Sequence, residues 1–102
     1  MRYQLVLRFP GDAFDEFDDI VALESALVER LGALGTLENR DVGSDEWCIA
    51  LVTPDPVRAF GNAKAVLERK GLLEASVAMY RPMGGKDYTV LWPSDLPPQA
   101  EA

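Results

Sequence analysis

The sequence contains no histidine and only one cysteine, Cys48, among its 102 residues. Without histidine, the chain lacks both the commonest general acid–base group and the commonest metal ligand in proteins. A single cysteine cannot form an internal disulfide, so nothing in the composition indicates an oxidising compartment. Cys48 lies in an apolar stretch without an evident activating partner, and it is interpreted as a packing residue. No catalytic residue, cofactor or metal site is predicted.

Basic residues are also scarce, since ten Lys and Arg face seventeen Asp and Glu and give a net charge of −7. A protein that neutralises phosphates needs a basic face, so a nucleic-acid partner and an anionic membrane surface are both disfavoured. No apolar run approaches the roughly 20 residues of a membrane helix. The first residues, MRYQLVLRFPGD, predict a strand rather than a signal peptide. The expected location is the cytoplasm.

An acidic run precedes the first helical pattern. It comprises Asp12, Asp15, Glu16, Asp18 and Asp19. The run lacks the ligand offsets, central glycine and closing glutamate of a calcium loop. Acidic groups at a helix N-terminus oppose the helix dipole favourably, so a structural role is predicted, with Asp15 as N-cap and Asp18 at N3.

The periodicity of apolar residues predicts four strands, two helices and an appended strand. In chain order these are strand Tyr3–Phe9, a helix whose apolar stripe runs from Ile20 to Leu34, strands Thr36–Val42 and Trp47–Val52, a helix begun by Asp55 and Pro56 with Val57, Phe60 and Leu67 buried, strand Ala75–Arg81 and strand Tyr88–Trp92. This order predicts an α+β fold, a ferredoxin-like βαββαβ sandwich. Both helices would cover one face of an antiparallel sheet, with a short extra C-terminal strand. Residues 1–93 are expected to form a single domain and 94–102 a flexible tail.

The central hairpin has two unlike arms. Trp47–Val52 is strongly apolar and is predicted to be a central strand, whereas Thr36–Val42 carries Glu38, Asn39, Arg40 and Asp41 in succession. Such a polar arm is typical of an edge strand, where charges discourage unwanted pairing. The alternative is that these side chains form a hydrogen-bonding surface for a ligand or partner.

The sheet face without helices is predicted to be unusually apolar. By alternation it would carry Gln4, Val6, Arg8, Cys48, Ala50, Val52, Ala78 and Tyr80. The C-terminal segment with Tyr88 and Trp92, a second copy of the protein, or a ligand could cover it. Exposed apolar patches of this kind usually mark interfaces, which favours a homodimer through the sheet face. The side chains predicted to meet a ligand or partner are Arg8, Glu38, Arg40, Asp41, Tyr80 and Arg81.

The segment from Gly84 to Pro93, GGKDYTVLWP, is the most distinctive motif in the chain. A strand rather than a helix follows the two glycines, so a hairpin turn is predicted instead of a phosphate-binding loop. With this GG-x-x-YTVLWP ending and the YQLVL start, the chain resembles a group of small stand-alone bacterial proteins. The resemblance implies a small bacterial cytoplasmic domain and no particular activity.

Three functions remain open from the sequence. The first is a non-enzymatic binding or regulatory domain that acts through its open sheet face, as a homodimer or with another protein. The second is a small enzyme of the dimeric ferredoxin-like type, in which a pocket between sheet and helices binds a small molecule. Its polar groups would be Arg8, Arg40, Asp41 and Tyr80. The third is an acidic immunity or inhibitor protein that masks a basic partner by charge complementarity.

Overall fold

A computed structural model describes residues 2–43 and 45–93, apart from the side chain of Val42. The tail predicted for residues 94–102 lies outside these residues. The elements are β1 (Tyr3–Pro10), α1 (Phe17–Leu31), a 3-10 turn (Gly32–Leu34), β2 (Thr36–Val42), β3 (Glu46–Thr53), α2 (Pro56–Arg69), β4 (Val77–Pro82) and β5 (Thr89–Trp92). The fold is therefore α+β, and every predicted element is present with ends shifted by no more than a few residues.

The five strands form one antiparallel sheet in the order β2-β3-β1-β4-β5. The two most apolar strands, β1 and β3, lie inside the sheet and pair along their whole length, from Tyr3 opposite Thr53 to Pro10 opposite Glu46. The polar strand β2 forms one edge and the short strand β5 the other. The prediction that Thr36–Val42 is an edge strand is confirmed.

The hydrophobic core lies between one face of the sheet and both helices. The strands supply Leu5, Leu7, Phe9, Ile49 and Leu51, and the helices supply Ile20, Leu23, Leu27, Ala59, Ala63 and Leu67, all of them almost completely buried. Every second strand residue reaches this core because successive side chains point to opposite faces of a sheet. We call this side the covered face and the other side the open face.

Helix α1 begins one residue later than the sequence predicts. Its N-cap is Glu16 and its N3 residue is Asp19, not Asp15 and Asp18. The Asp19 carboxylate accepts hydrogen bonds from the backbone N–H of Glu16 at 3.1 Å and of Asp15 at 3.2 Å. One side chain thus binds two backbone donors ahead of the first turn, which explains the shift of the cap.

Helix α2 begins as predicted. The Asp55 carboxylate accepts a hydrogen bond from the backbone N–H of Arg58 at 3.1 Å, and Pro56 occupies the first helical position. Gly71, at φ +73°, ends the helix in the left-handed conformation that favours glycine. The buried stripe differs from the prediction, since Val57 is 60% exposed and Ala59 is buried.

The turn between β4 and β5 is the predicted glycine hairpin. Gly85 donates its backbone N–H to the Pro82 carbonyl at 2.8 Å, and Gly84 has a φ of +85°. A side chain at Gly84 would strain the turn for this reason. Within the described part of the chain, neither helix combines the length and apolar character needed to cross a bilayer.

Candidate functional site

The open face draws side chains from all five strands. Register places on it Gln4, Val6 and Arg8 of β1, Cys48, Ala50 and Val52 of β3, and Val77, Met79 and Arg81 of β4. Asp41 of β2 joins them opposite Cys48. Of the predicted ligand-facing residues, Arg8, Asp41 and Arg81 therefore share this face, and the side chain of Glu38 also reaches it.

Tyr80 and Ala78 lie on the covered face, contrary to the prediction. In register they pair with Leu5 and Leu7, and the Tyr80 ring packs edge-on against Tyr3 with centroids 5.8 Å apart. In strand β4, apolar residues occupy both the odd-numbered and the even-numbered positions, so alternation alone does not show which set faces the helices. The open face therefore carries Val77 and Met79 of β4, where the prediction had Ala78 and Tyr80.

The small side chain of Ala78 fits the crowding on the covered face. Trp92 lies opposite Ala78 in β5, and its indole packs against Phe60 of α2 with ring centroids 6.4 Å apart. The indole N–H donates to the Leu73 carbonyl at 2.9 Å. The C-terminal strand is thereby fastened to the helix layer, and Trp92 does not cover the open face.

Arg40 also lies on the covered face, because β2 contains a β-bulge. The register passes from Leu37 opposite Leu51 to Asn39 opposite Ala50, so Glu38 is an extra residue in the edge strand. A bulge changes the parity of every residue that follows it. Arg40 consequently lies opposite Ile49 and points toward the helices.

The redirected Arg40 forms a shielded ion pair with α1. Its Nε and Nη2 each donate to one carboxylate oxygen of Glu24 at 2.6 Å. Glu24 is only 4% exposed, and the guanidinium lies 4.7 Å from the ring centroid of Phe17. The hydrogen bonds to Glu24 raise the pKa of Arg40, which stabilises its charged form. Arg40 thus joins the edge strand to α1 and is unavailable to a ligand on the open face.

Sequence reasoning missed Glu24. It directly follows Leu23 in the buried stripe of α1, and a charged residue at the margin of such a stripe is the signal that could have drawn attention to it. Its partner was not evident, because an unbulged β2 would have placed Arg40 on the other face.

An apolar row crosses the middle of the open face. Ala50 pairs with Val6, Val6 with Met79, and Met79 with Val90, so four neighbouring strands each contribute one side chain. Neighbouring strands lie about 4.8 Å apart, which makes the row about 14 Å long. Val90 is 46% exposed, Val6 and Met79 are half-buried, and Ala50 is only 7% exposed. The centre of the face is therefore apolar and accessible.

Polar groups of both signs flank this row on one side, two residues further along the strands. Arg8 binds the Glu46 carboxylate through its Nε at 3.0 Å and its Nη2 at 2.6 Å. Cys48 lies directly opposite Arg8 in the sheet. Burial is the main cause that raises the pKa of the Cys48 thiol, with Glu46 adding to it and Arg8 opposing it. The thiol is thus protonated at neutral pH, which supports its interpretation as a packing residue.

A hydrogen-bonded group centred on Gln4 flanks the row on its other side. The Gln4 amide donates to Glu38 at 2.8 Å, and its oxygen accepts from Arg81 Nε at 2.9 Å and from the Tyr88 hydroxyl at 3.3 Å. Arg81 also donates to the Gly85 carbonyl at 2.7 Å and lies 5.3 Å from the Tyr88 ring centroid. Polar groups that carry both signs of charge therefore flank the apolar row on both sides.

The four polar groups expected of an enzyme do not converge. Arg8 and Asp41 lie on the open face, whereas Arg40 and Tyr80 lie on the covered face. The core side chains occupy the space between sheet and helices where the pocket was expected. Among residues 2–43 and 45–93, no three His, Cys, Asp or Glu side chains are grouped so that they could hold a metal ion.

Comparison with family models, curated proteins and solved structures found no match to this chain. The resemblance to small bacterial proteins with the same ending stays a prediction. The geometry of the open face therefore carries the functional argument.

Proposed function

We propose that this chain is a non-enzymatic cytoplasmic binding domain of ferredoxin-like topology that works as a homodimer joined through its open sheet face. The inner position of β1 and β3, with β2 and β4 flanking them, supports the topology. The observation that carries the function is the apolar row of Ala50, Val6, Met79 and Val90, in which the last three side chains are accessible. Accessible apolar patches rimmed by polar groups are typical of protein interfaces.

The charge distribution favours a second copy as the occupant of this face. Two copies that each carry −7 repel one another wherever their acidic surfaces meet. On the open face, the Arg8–Glu46 pair on one side of the row and Arg81 with Glu38 on the other balance positive against negative charge. In an isologous dimer each copy presents the same patch, so a patch with both signs on its two sides can complement itself.

The oligomeric state of the full chain tests the proposal. Sedimentation equilibrium should show a dimer that Val6→Glu or Met79→Glu converts to a monomer, because each change buries a carboxylate in the interface. Val57→Glu is the matched control: it introduces the same charge at an exposed position of α2 and should leave the dimer intact. Circular dichroism would verify that each variant is folded.

Salt provides a second readout of the same interface. The dimer should tighten as ionic strength rises, because salt screens the repulsion between two copies of −7 charge. A wild-type chain that stays monomeric at all accessible concentrations would refute the proposal. So would a dimer that survives both open-face substitutions.

A further inference from the structure

A groove between α1 and the edge strand β2 forms a second surface, away from the open face. Its volume is 480 Å³, and it is lined by Val21, Glu24, Ser25, Val28, Glu29 and Leu37. Val21 is 36% exposed and Val28 is 42% exposed, although both are large apolar residues on a helix whose Ile20, Leu23, Leu27 and Leu31 are buried. The groove therefore has apolar walls that the fold itself does not cover.

The walls of the groove are rigidly placed. Val21 and Val28 are two helical turns apart on one side of α1, about 10 Å along the axis. Leu37 of β2 supplies the facing wall. The bidentate pair of Arg40 with Glu24 connects helix and strand beside the groove. The cleft is thus preformed, which lowers the entropic cost of binding.

One side of the groove is an unpaired strand edge. β2 pairs only with β3, so the backbone N–H and C=O groups of every second β2 residue point away from the sheet. Such an edge can accept an added strand from another chain. The bulge at Leu37–Asn39 confines regular pairing to the stretch from Asn39 to Val42.

The charges beside the groove determine which charge a bound segment should carry. Glu29 lines the groove, and Glu38 and Asp41 belong to the same edge strand. Arg40 is already bound by both oxygens of Glu24. A second copy that paired through its own β2 would bring Glu38 and Asp41 against their equivalents and be repelled. A basic segment would instead meet complementary charge.

We propose that this groove binds an extended segment of a basic partner protein, in which Lys or Arg alternates with aliphatic residues. The segment adds to the outer edge of β2 and inserts its aliphatic side chains between Val21, Val28 and Leu37. Alternate side chains of a strand are about 7 Å apart, so two of them fit within the 10 Å between the two valines. The intervening cations point to the other face of the added strand, on the side where Glu38 and Asp41 of β2 lie.

A peptide titration of the isotope-labelled full chain tests this proposal. The probe is the acetylated and amidated peptide Lys-Val-Lys-Val-Lys-Val-Lys, and its control carries Glu in place of every Lys. The basic peptide should shift the amide resonances of α1 around Val21 and Val28 and those of β2, and the acidic peptide should not. Val28→Glu and Leu37→Glu should each weaken binding about tenfold or more, whereas Val57→Glu should bind as wild type.

The outcomes separate this proposal from the dimer. The monomeric Val6→Glu chain should still bind the basic peptide, and added salt should weaken peptide binding while it tightens the dimer. Resonance shifts confined to the open face, or equal binding by wild type and Val28→Glu, would overturn the proposal. Self-association that Val28→Glu abolishes would overturn it as well, because the groove would then hold a second copy.

Discussion

The two faces of the sheet differ more in burial than in the apolar character of their residues. Leu7 and Ile49 pair on the covered face and are fully buried, whereas their neighbours Val6 and Ala50 pair on the open face. Both pairs are apolar, and adjacent residues of each strand supply them. The comparison shows that apolar character alone does not assign a strand residue to the core; the position of the helices does.

The ion pairs of the two faces also differ in their exposure to solvent. On the covered face, the side chains of Arg40 and Glu24 are 30% and 5% exposed. On the open face, the side chains of Arg8 and Glu46 are 44% and 40% exposed. Exposed pairs contribute little to stability because water and salt screen them. The first pair therefore joins two elements of the fold, and the second is free to rearrange against a partner.

The largest effect should come from truncating matched residues on the two faces. Leu7→Ala should lower the free energy of unfolding by about 3 kcal/mol, since it leaves a cavity in a filled core. Val6→Ala removes apolar atoms that are only half-buried and should cost about 1 kcal/mol or less. Urea denaturation, at protein concentrations low enough to keep both chains monomeric, measures the difference. Equal losses would mean that the open face is packed as tightly as the core.

An intermediate effect is expected from neutralising one acid of each ion pair. Glu24→Gln removes the charge that strengthens both hydrogen bonds from Arg40, so it should lower the denaturation midpoint more than the change in the open-face pair. Glu46→Gln should change stability by about 0.5 kcal/mol or less, because its pair is exposed. If Glu46→Gln proves the more destabilising change, the assignment of Arg40 as the structural clamp is wrong.

The smallest effect concerns the Cys48 thiol on the open face. Burial raises its pKa above the ordinary value of 9.0, so the folded state holds the thiol proton more tightly than the unfolded state. This contribution to stability is fully present below about pH 9 and is lost as pH rises through the folded pKa. Wild type should therefore lose slightly more stability than Cys48→Ala between pH 8 and pH 10, as measured by urea denaturation. An equal loss in both chains would indicate a freely solvated thiol.

Local patterns predicted most of the fold. The helix N-cap at Asp55 and the glycine turn before β5 depend on a few neighbouring residues, and both were found as expected. The apolar content of β1 and β3 correctly indicated the inner strands. At the candidate site, alternation placed Arg8 on the expected face, because the odd-numbered residues of β1 are clearly more apolar than the even-numbered ones. Arg81 shares this face only because the alternation of β4 is the reverse of the prediction.

The two errors at the candidate site came from features without a local signal. The bulge at Glu38 reverses the parity of Arg40, and only its pairing with β3 and its contact with Glu24 reveal the reversal. Tyr80 was assigned to the wrong face because both parities of β4 are apolar. In each case the deciding interaction joins residues that are distant in the chain.

By itself, the sequence determined the order and type of the elements, the apolar inner strands, the acidic surface and the absence of histidine chemistry. These follow from residue spacing and composition, which act locally or as sums over the chain. The tertiary structure decided which side chains share a face, that Arg40 binds Glu24 rather than a ligand, and that α1 and β2 leave an apolar groove between them. Those outcomes depend on register and packing between elements, where a shift of one residue moves a side chain from one face of the sheet to the other.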